Sequence, residues 1–284
     1  MNILQKTPAD YVSALERAST RRTTPLKQGE IVWHIWGSGT PLVLMHGGTG
    51  SWLHWVRNIE AFARDFQVIV PDIPGSGESG DPDKPISGKG IAADIFAGLN
   101  TIIGEKTRFA LAGFSMGGLI AAFLTQFAGE RVRCLLLAGS TATGAPRPEM
   151  TPMQSWRKLP TDEEKRAAHR HNLAVLMIHD PKNIDELALY CQIRNAGLSR
   201  VRGKHVSHTG TLGDCLPGMP GRLAGIWGEH DATAAPYLAE RRKKLEEFRP
   251  GASFDIFEGA GHWVQYEAHE RFNARALEIL KGGA

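Results

Sequence analysis

The stretch that decides the fold is Phe109–Gly118, FALAGFSMGG, which contains the pattern Gly-x-Ser-x-Gly at residues 113–117. Phe109–Ala112 is a short apolar run typical of a buried strand, and the small and apolar residues after Gly117 are typical of a helix. A serine between them would stand on a sharp, strained turn, with glycines on both sides leaving room for it. Its hydroxyl would lie at a helix N-terminus, where backbone N–H groups favour negative charge. Ser115 is therefore the first candidate for a reactive group.

Short β-branched or aromatic runs alternate with helix-length segments along most of the chain. Strands separated by helices predict βαβ units, and so an α/β protein with a mostly parallel sheet covered on both faces. The first two strands are joined only by Gly37–Thr40, which predicts an antiparallel hairpin. The predicted strands are Ile31–Trp36, Leu42–Met45, Val68–Val70, Phe109–Ala112, Leu135–Ala138, Leu223–Trp227 and Ser253–Phe257, and the predicted helices lie around residues 7–19, 55–63, 90–103, 116–127 and 237–248.

Residues 143–219, here called the helical insert, interrupt this alternation. They contain no strand pattern. Thr161 and Glu164 form a capping box ahead of a helix over Lys165–Met177, and Pro181–Asn195 predicts a second helix that begins with proline in its first turn. An all-helical insertion of this length predicts a lid on a core formed by residues 1–142 and 220–284.

Composition excludes several classes of protein. The chain has 284 residues, of which 42% are apolar and 22% charged, as in globular proteins. Its net charge is only +3 and no run of five Lys or Arg occurs, which argues against a nucleic-acid partner. Neither a membrane span nor a secretory signal is predicted, because no apolar run is long enough. Three widely spaced cysteines (Cys134, Cys191 and Cys215) predict no disulfide framework or zinc site and favour a reducing, cytoplasmic location.

A serine hydroxyl becomes a nucleophile only with a positioned base and a group that orients the base. Among 11 histidines, His262 follows a Gly-rich loop directly after the last predicted strand, so the loop can return it over the sheet edge. Asp231 follows another strand end and is the candidate for the orienting acid. Glu229 and Asp255 are the rival acids.

Residues 46–50, His-Gly-Gly-Thr-Gly, form a second candidate element, here called the glycine loop, after the strand Leu42–Met45. Its amides, Gly48 first among them, can pair with the amide of Met116 to bind a developing oxyanion. The alternative is a phosphate cradle, but neither Gly-Lys-Ser/Thr nor a helix-opening Gly-x-Gly-x-x-Gly is present. His46 is interpreted as an anchor of the loop. The spacing of the histidines and cysteines predicts no metal site.

Five motifs together resemble the α/β-hydrolase superfamily: HGGTG (46–50), DIPGSGES (72–79), GFSMGG (113–118), GEHDATAAP (228–236) and GAGHW (259–263). They match in identity, order and spacing from about Glu30 to Leu280. The resemblance implies the α/β-hydrolase fold, no cofactor, and an oxyanion hole from the amides of Gly48 and Met116. It also implies a triad in the chain order Ser115, Asp231, His262. Haloalkane dehalogenases and epoxide hydrolases look similar but carry an aspartate in place of the serine, which argues against those activities.

The C-terminal stretch GHWVQYE (261–267), with Phe272-Asn273, resembles the meta-cleavage-product hydrolases, which split a carbon–carbon bond during aromatic breakdown. Two differences stand against this narrower resemblance. Thr49-Gly50-Ser51 lacks the proline usual in that family, and Phe114 replaces an asparagine that the family favours before the nucleophile. The main expectation is therefore a hydrolase of small-molecule carboxylic esters, with carbon–carbon hydrolysis as the alternative.

The sequence also offers candidates for the substrate pocket and for the partners of the protein. Trp52, Phe114, Trp156 and Trp263 are candidates for substrate binding, and packing in the core is the alternative for each. The expected partner is a small molecule, and a homo-oligomer is left open. Outside catalysis, a small-molecule receptor on the same fold is the second class of function. Lipase action on aggregated lipid is a further alternative, although the insert shows no conspicuous apolar face.

Overall fold

The structure is a computed structural model that describes residues 7–201 and 206–282. Its described strands form one sheet in the order β1-β2-β4-β3-β5-β6-β7-β8. β2 runs antiparallel to both of its neighbours, and every other pairing from β4 to β8 is parallel. The strands are β1 Thr20–Leu26, β2 Gly29–Trp36, β3 Thr40–Met45, β4 Phe66–Pro71, β5 Phe109–Phe114, β6 Val132–Ala138, β7 Arg222–Gly228 and β8 Ser253–Phe257.

Each of the seven predicted strands lies within an observed strand, but the predicted hairpin is wrong. β4 lies between β2 and β3, pairing antiparallel with the first and parallel with the second. The short connection crosses the beginning of β4, where a side chain at Gly37 would collide with the carbonyl oxygens of Ala63 and Phe66. β1 was missed because it is an edge strand with mostly exposed residues, and so it lacks the apolar alternation of a half-buried strand.

Helices cover both faces of the sheet, which explains the nearly continuous apolar runs of the central strands. In β5, Phe109 and Leu111 face one hydrophobic cluster, and Ala110, Ala112 and Phe114 face the other. The first cluster contains α3 Gly88–Ile103, α4 Met116–Ala128 and α7 Leu238–Phe248, and the second contains α1 Pro8–Arg17, α2 Ile59–Phe62, α8 Val264–Glu267 and α9 His269–Lys281. None of the helices in residues 7–201 and 206–282 has the length and apolar character needed to cross a membrane.

The described part of the helical insert (143–201 and 206–219) contains no strand. Its first helix, α5 Asp162–Asn172, has the predicted capping box and continues as a π-helical turn over Leu173–Met177. The second, α6 Glu186–Leu198, begins later than predicted because Asp185 caps it, and Pro181 opens a separate 3₁₀ turn. The last part of the insert, from Val206 to Met219, packs in the same cluster as α3 and α4.

Candidate active site

Ser115 occupies the turn between β5 and α4 in a left-handed conformation, with φ of +52°. Such a conformation costs a non-glycine residue about 1–3 kcal/mol and persists only where the surroundings enforce it. Here the Ser115 amide donates to the carbonyl of Ala138 at 3.0 Å. A side chain at Gly117 would collide with the carbonyl of His46, so the turn requires glycine at that position. The serine hydroxyl is thereby held out from the strand end, above the sheet.

The structure brings Ser115, His262 and Asp231 into one hydrogen-bonded chain. The Nε2 atom of His262 lies 3.0 Å from Ser115 Oγ, and its Nδ1 atom lies 2.9 Å from both carboxylate oxygens of Asp231. His262 is 3% exposed and Asp231 is fully buried. Asp231 Oδ1 also accepts hydrogen bonds from the amide and the hydroxyl of Thr233, at 2.7 and 2.8 Å. These donors fix the carboxylate so that it faces the imidazole.

The two rival acids have other partners. Glu229 accepts a hydrogen bond from the amide of Gly259 at 3.0 Å. Asp255, on β8, forms an ion pair with Arg275 at 3.0 Å. Neither carboxylate therefore takes the position beside the His262 ring that Asp231 occupies.

The glycine loop lies directly beside the serine. A side chain at Gly47 would come within 3.2 Å of Ser115 Cβ. His46 anchors the loop, because its Nε2 accepts from the amide of Ile73 at 2.8 Å and its Nδ1 lies 2.8 Å from the Gly47 carbonyl. Among the described residues, the amides of Gly48 and Met116 donate to no protein acceptor. Both remain available to bind an oxygen of a ligand.

His54 was not singled out from the sequence, yet it joins the glycine loop to the segment after His262. Its Nδ1 accepts from the amide of Gly47 at 3.1 Å, and its carbonyl accepts from the indole N–H of Trp263 at 2.8 Å. Burial, and secondarily the neighbouring His46 and His262, hold the pKa of His54 well below its ordinary value. The ring is therefore neutral, as an acceptor nitrogen requires. The only feature of the sequence that could have indicated His54 is its position seven residues after Gly47.

The four aromatic candidates for substrate binding fall into two groups. Phe114 and Trp263 lie near His262: the Phe114 ring is 5.0 Å from the His262 ring, and Trp263 directly follows His262 in the chain with its ring 5.3 Å from that of His54. Trp52 packs instead against His34 and Trp36, and Trp156 packs against His169 in the insert. Phe114, Trp263 and Trp52 are at most 2% exposed, so their rings are packed inside the protein. The ring contacts of Trp52 and Trp156 give no support to a substrate-binding role.

Three buried histidines should make the stability depend on pH. Burial lowers the pKa of His34 and His46 to about 4 and holds that of His54 well below 6.5. Below about pH 6.5 these groups are protonated in the unfolded chain but neutral in the folded chain. The free energy of unfolding should therefore fall between about pH 6.5 and 4, by about 1.4 kcal/mol per pH unit for each histidine. Asp72 opposes this, because burial raises its pKa to about 6 and its protonation favours the folded state below that pH.

We expect three histidines to outweigh one aspartate, so that urea unfolding at pH 7.5 and 5.0 shows lower stability at pH 5.0. His34→Gln should reduce the difference in the free energy of unfolding between these two pH values by the contribution of one histidine, about 2 kcal/mol. His208→Gln, at an exposed position, serves as the matched control. An unchanged pH dependence in His34→Gln would contradict the argument.

Within residues 7–201 and 206–282, no group of three or more His, Cys, Asp or Glu side chains is arranged to hold a metal ion. The site thus consists of a serine at a strained turn, a buried imidazole–carboxylate pair and two free amides. Such an arrangement can activate a hydroxyl for attack on a carbonyl group.

The sequence matches the profile of the Alpha/beta hydrolase family over residues 42–275, and the chain belongs to this family. It is a hydrolase, as the motifs predicted. A 2-hydroxy-6-oxononadienedioate/2-hydroxy-6-oxononatrienedioate hydrolase of Burkholderia vietnamiensis is 29% identical over 297 residues, covering 96% of this chain and 99% of the relative.

Two solved structures share the fold. The carboxylesterase CesB of Bacillus subtilis matches with a TM-score of 0.75 at 22% identity, covering 98% of this chain and 96% of its own. The meta-cleavage product hydrolase CumD of Pseudomonas fluorescens matches with a TM-score of 0.71 at 20% identity, covering 92% and 97%. The likeness to both confirms the predicted α/β-hydrolase fold.

Proposed function

We propose that the protein hydrolyses a small-molecule carboxylic ester through a covalent acyl-enzyme. The observation that carries the proposal is the continuous hydrogen-bonded chain from Ser115 Oγ through His262 to the buried Asp231. Asp231 accepts a hydrogen bond from His262 Nδ1, so the proton of the neutral imidazole resides on Nδ1. Nε2 is then free to take the serine proton. A serine in an ordinary turn would have neither the positive φ nor this aligned base.

The proposed reaction has two halves. His262 Nε2 takes the Ser115 proton while Oγ attacks the ester carbonyl, and the amides of Gly48 and Met116 bind the resulting oxyanion. His262 then gives its proton to the leaving alcohol, and the acyl group remains on Ser115. In the second half, His262 takes a proton from water, the hydroxide attacks the acyl-enzyme, and return of the proton to Ser115 releases the acid. Asp231 holds the ring in place and stabilises the imidazolium each time it forms.

The role proposed for the glycine loop predicts an effect at His54. His54→Leu should lower kcat by about tenfold to a hundredfold, less than the 10²–10³ lost with an oxyanion donor itself. The reason is that the leucine has no acceptor for the Gly47 amide, so the adjacent Gly48 amide loses its orientation. His54→Asn, which places an oxygen close to the position of Nδ1, should retain more of the activity. Equal losses in the two variants would show that the acceptor does not matter; steady-state kinetics on p-nitrophenyl butyrate provide the measurement.

Carbon–carbon hydrolysis is the second candidate, favoured by the similarity to the Burkholderia enzyme along nearly the whole chain. The stretch 261–267 supports it, while Phe114, packed on His262, occupies the place where that family favours asparagine. The deciding experiment compares kcat/KM for p-nitrophenyl butyrate and for a ring-cleavage dienoate, with Ser115→Ala as the control. Preference for the ester supports our proposal, and preference for the dienoate overturns it in favour of the second candidate.

We further propose that the helical insert, residues 143–219, acts as a lid that closes the site around the substrate. The insert contacts the residue that directly follows the glycine loop, since the hydroxyl of Ser51 donates to Asn195 Oδ1 at 2.6 Å. A small-molecule receptor on this fold would differ from the proposed hydrolase in its turnover. It would be stabilised by its ligand but would show negligible turnover, whereas the proposed hydrolase turns over ester and loses this activity with Ser115.

A further inference from the structure

Glu267, at the end of α8, lies between the helical insert and the loop that carries the catalytic histidine, residues 259–263. Its two carboxylate oxygens accept four hydrogen bonds, three from the insert and one from this histidine loop. The donors are the amides of Gly261, His179 and Asp180, at 2.7, 2.9 and 2.8 Å, and the side-chain amide of Asn183, at 3.1 Å. The carboxylate therefore joins two segments that are otherwise separate in the chain.

Other contacts at this junction bring the same segments together. The amide of Trp263 donates to the carbonyl of Met177, the last residue of the π-helical turn, at 2.7 Å. The ring of His179 stacks on that of His230, with centroids 3.7 Å apart. His230 directly precedes Asp231, and its amide donates to Ala260 at 2.9 Å. The turn of the insert after Met177 thus packs against the loops that carry both triad partners.

We propose that Glu267 is a positioning residue for the reaction. It holds residues 177–183 of the insert against the histidine loop, so that His262 Nε2 stays at hydrogen-bonding distance from Ser115 Oγ. The proposal rests on the proposed acyl-enzyme function. Glu267 can affect the rate because it binds the amide of Gly261, and Gly261 directly precedes His262 in the chain. A displacement of about 1 Å at a reacting group can cost a hundredfold in rate.

An ionised carboxylate is suited to this junction because it only accepts hydrogen bonds. Glutamine has nearly the same shape but replaces one oxygen with an NH₂ group. An NH₂ group in place of Oε1 would face the donors of Asp180 and Asn183, and one in place of Oε2 would face those of His179 and Gly261. In either orientation two of the four donors would lose their acceptor. Glu267→Gln therefore tests the hydrogen bonds with little change in volume.

The experiment compares Glu267→Gln with Glu270→Gln, a matched change at an exposed position three residues further along. Active sites are titrated with a p-nitrophenyl phosphonate ester, so that rates refer to competent enzyme only. We expect Glu267→Gln to lower kcat for p-nitrophenyl butyrate per titrated site by about tenfold to a hundredfold. KM should change less than threefold, and Glu270→Gln should stay within twofold of the wild type. Asn183→Ala, which removes one donor and leaves Glu267 intact, should give a smaller loss of kcat in the same direction.

Hydrogen exchange gives an independent measurement. Amides in residues 177–183 and 259–263 should exchange faster together in Glu267→Gln, because one carboxylate holds both segments. If kcat per titrated site equals that of Glu270→Gln, Glu267 serves stability alone and the positioning role is overturned. A wild-type protein that neither reacts with the phosphonate nor hydrolyses the ester overturns the proposed function itself. A wild-type protein that does both, with a fully active Glu267→Gln, overturns only the role of Glu267.

Discussion

Ser115→Ala is expected to abolish turnover of p-nitrophenyl butyrate, with kcat falling by a factor on the order of 10⁶. Alanine has no atom that can form the acyl bond, so only the oxyanion-binding amides and substrate binding would continue to favour direct attack by water. The measurement is steady-state kinetics on purified protein, with a circular-dichroism spectrum to show that the variant is folded.

The control for this prediction is Ser155→Ala, which removes a hydroxyl from an exposed position of the insert. It should keep the wild-type rate. A Ser115→Ala protein that retained the wild-type rate would show that another residue carries the chemistry. The ester-hydrolase proposal would then have to be abandoned in favour of a different nucleophile.

Asp231→Asn is expected to lower kcat by about 10⁴ while KM stays near its wild-type value. The asparagine NH₂ would donate to His262 Nδ1, which moves the imidazole proton to Nε2. That nitrogen could then no longer accept the proton of Ser115. The loss should diminish at high pH, where hydroxide can assist removal of the serine proton, so the pH dependence of kcat is the second measurement.

The two rival acids provide matched controls for the Asp231 prediction. Asp255→Asn and Glu229→Gln remove carboxylates whose partners are Arg275 and the Gly259 amide rather than His262. Both variants should retain activity within a few fold of the wild type. A loss of only tenfold in Asp231→Asn, together with a large loss in either control, would identify a different orienting acid.

The strands could be predicted where the local pattern of apolar residues reflects their burial. The central strands are almost entirely apolar because helices cover both faces, and each was found from its short apolar run. β1 was not found, since it lies at the edge of the sheet and its mostly exposed residues show no apolar alternation. The position of β4 between β2 and β3 depends on pairing between distant segments, which a four-residue connection alone does not reveal.

The residues of the candidate site also differ in whether the local sequence predicts them. Ser115, His262 and the glycine loop follow strand ends in recognisable motifs, so local sequence was enough to nominate them. His54 and Glu267 act through partners far away in the chain: Trp263 is 209 residues from His54, and His179 is 88 residues from Glu267. No local pattern marks His54, and the stretch 261–267 contains Glu267 but does not indicate its partners in the insert. Trp52 shows a further limit of local sequence, because a tryptophan near a motif could line the pocket or pack in the core, and the sequence does not show that its ring contacts Trp36.

The two faces of the sheet bear on how activity is gained during folding. Helix α4, which begins directly after Ser115, packs in one hydrophobic cluster, whereas Trp263 and α8, which follow His262, pack in the other. The bond between Ser115 and His262 therefore joins groups whose positions depend on opposite layers. An intermediate with only one layer docked would have native helices but would lack the hydrogen bond between Ser115 and His262, on which the proposed mechanism depends. Enzymatic activity thus reports assembly of the whole three-layer structure, and spectroscopic signals of secondary structure can precede it during refolding.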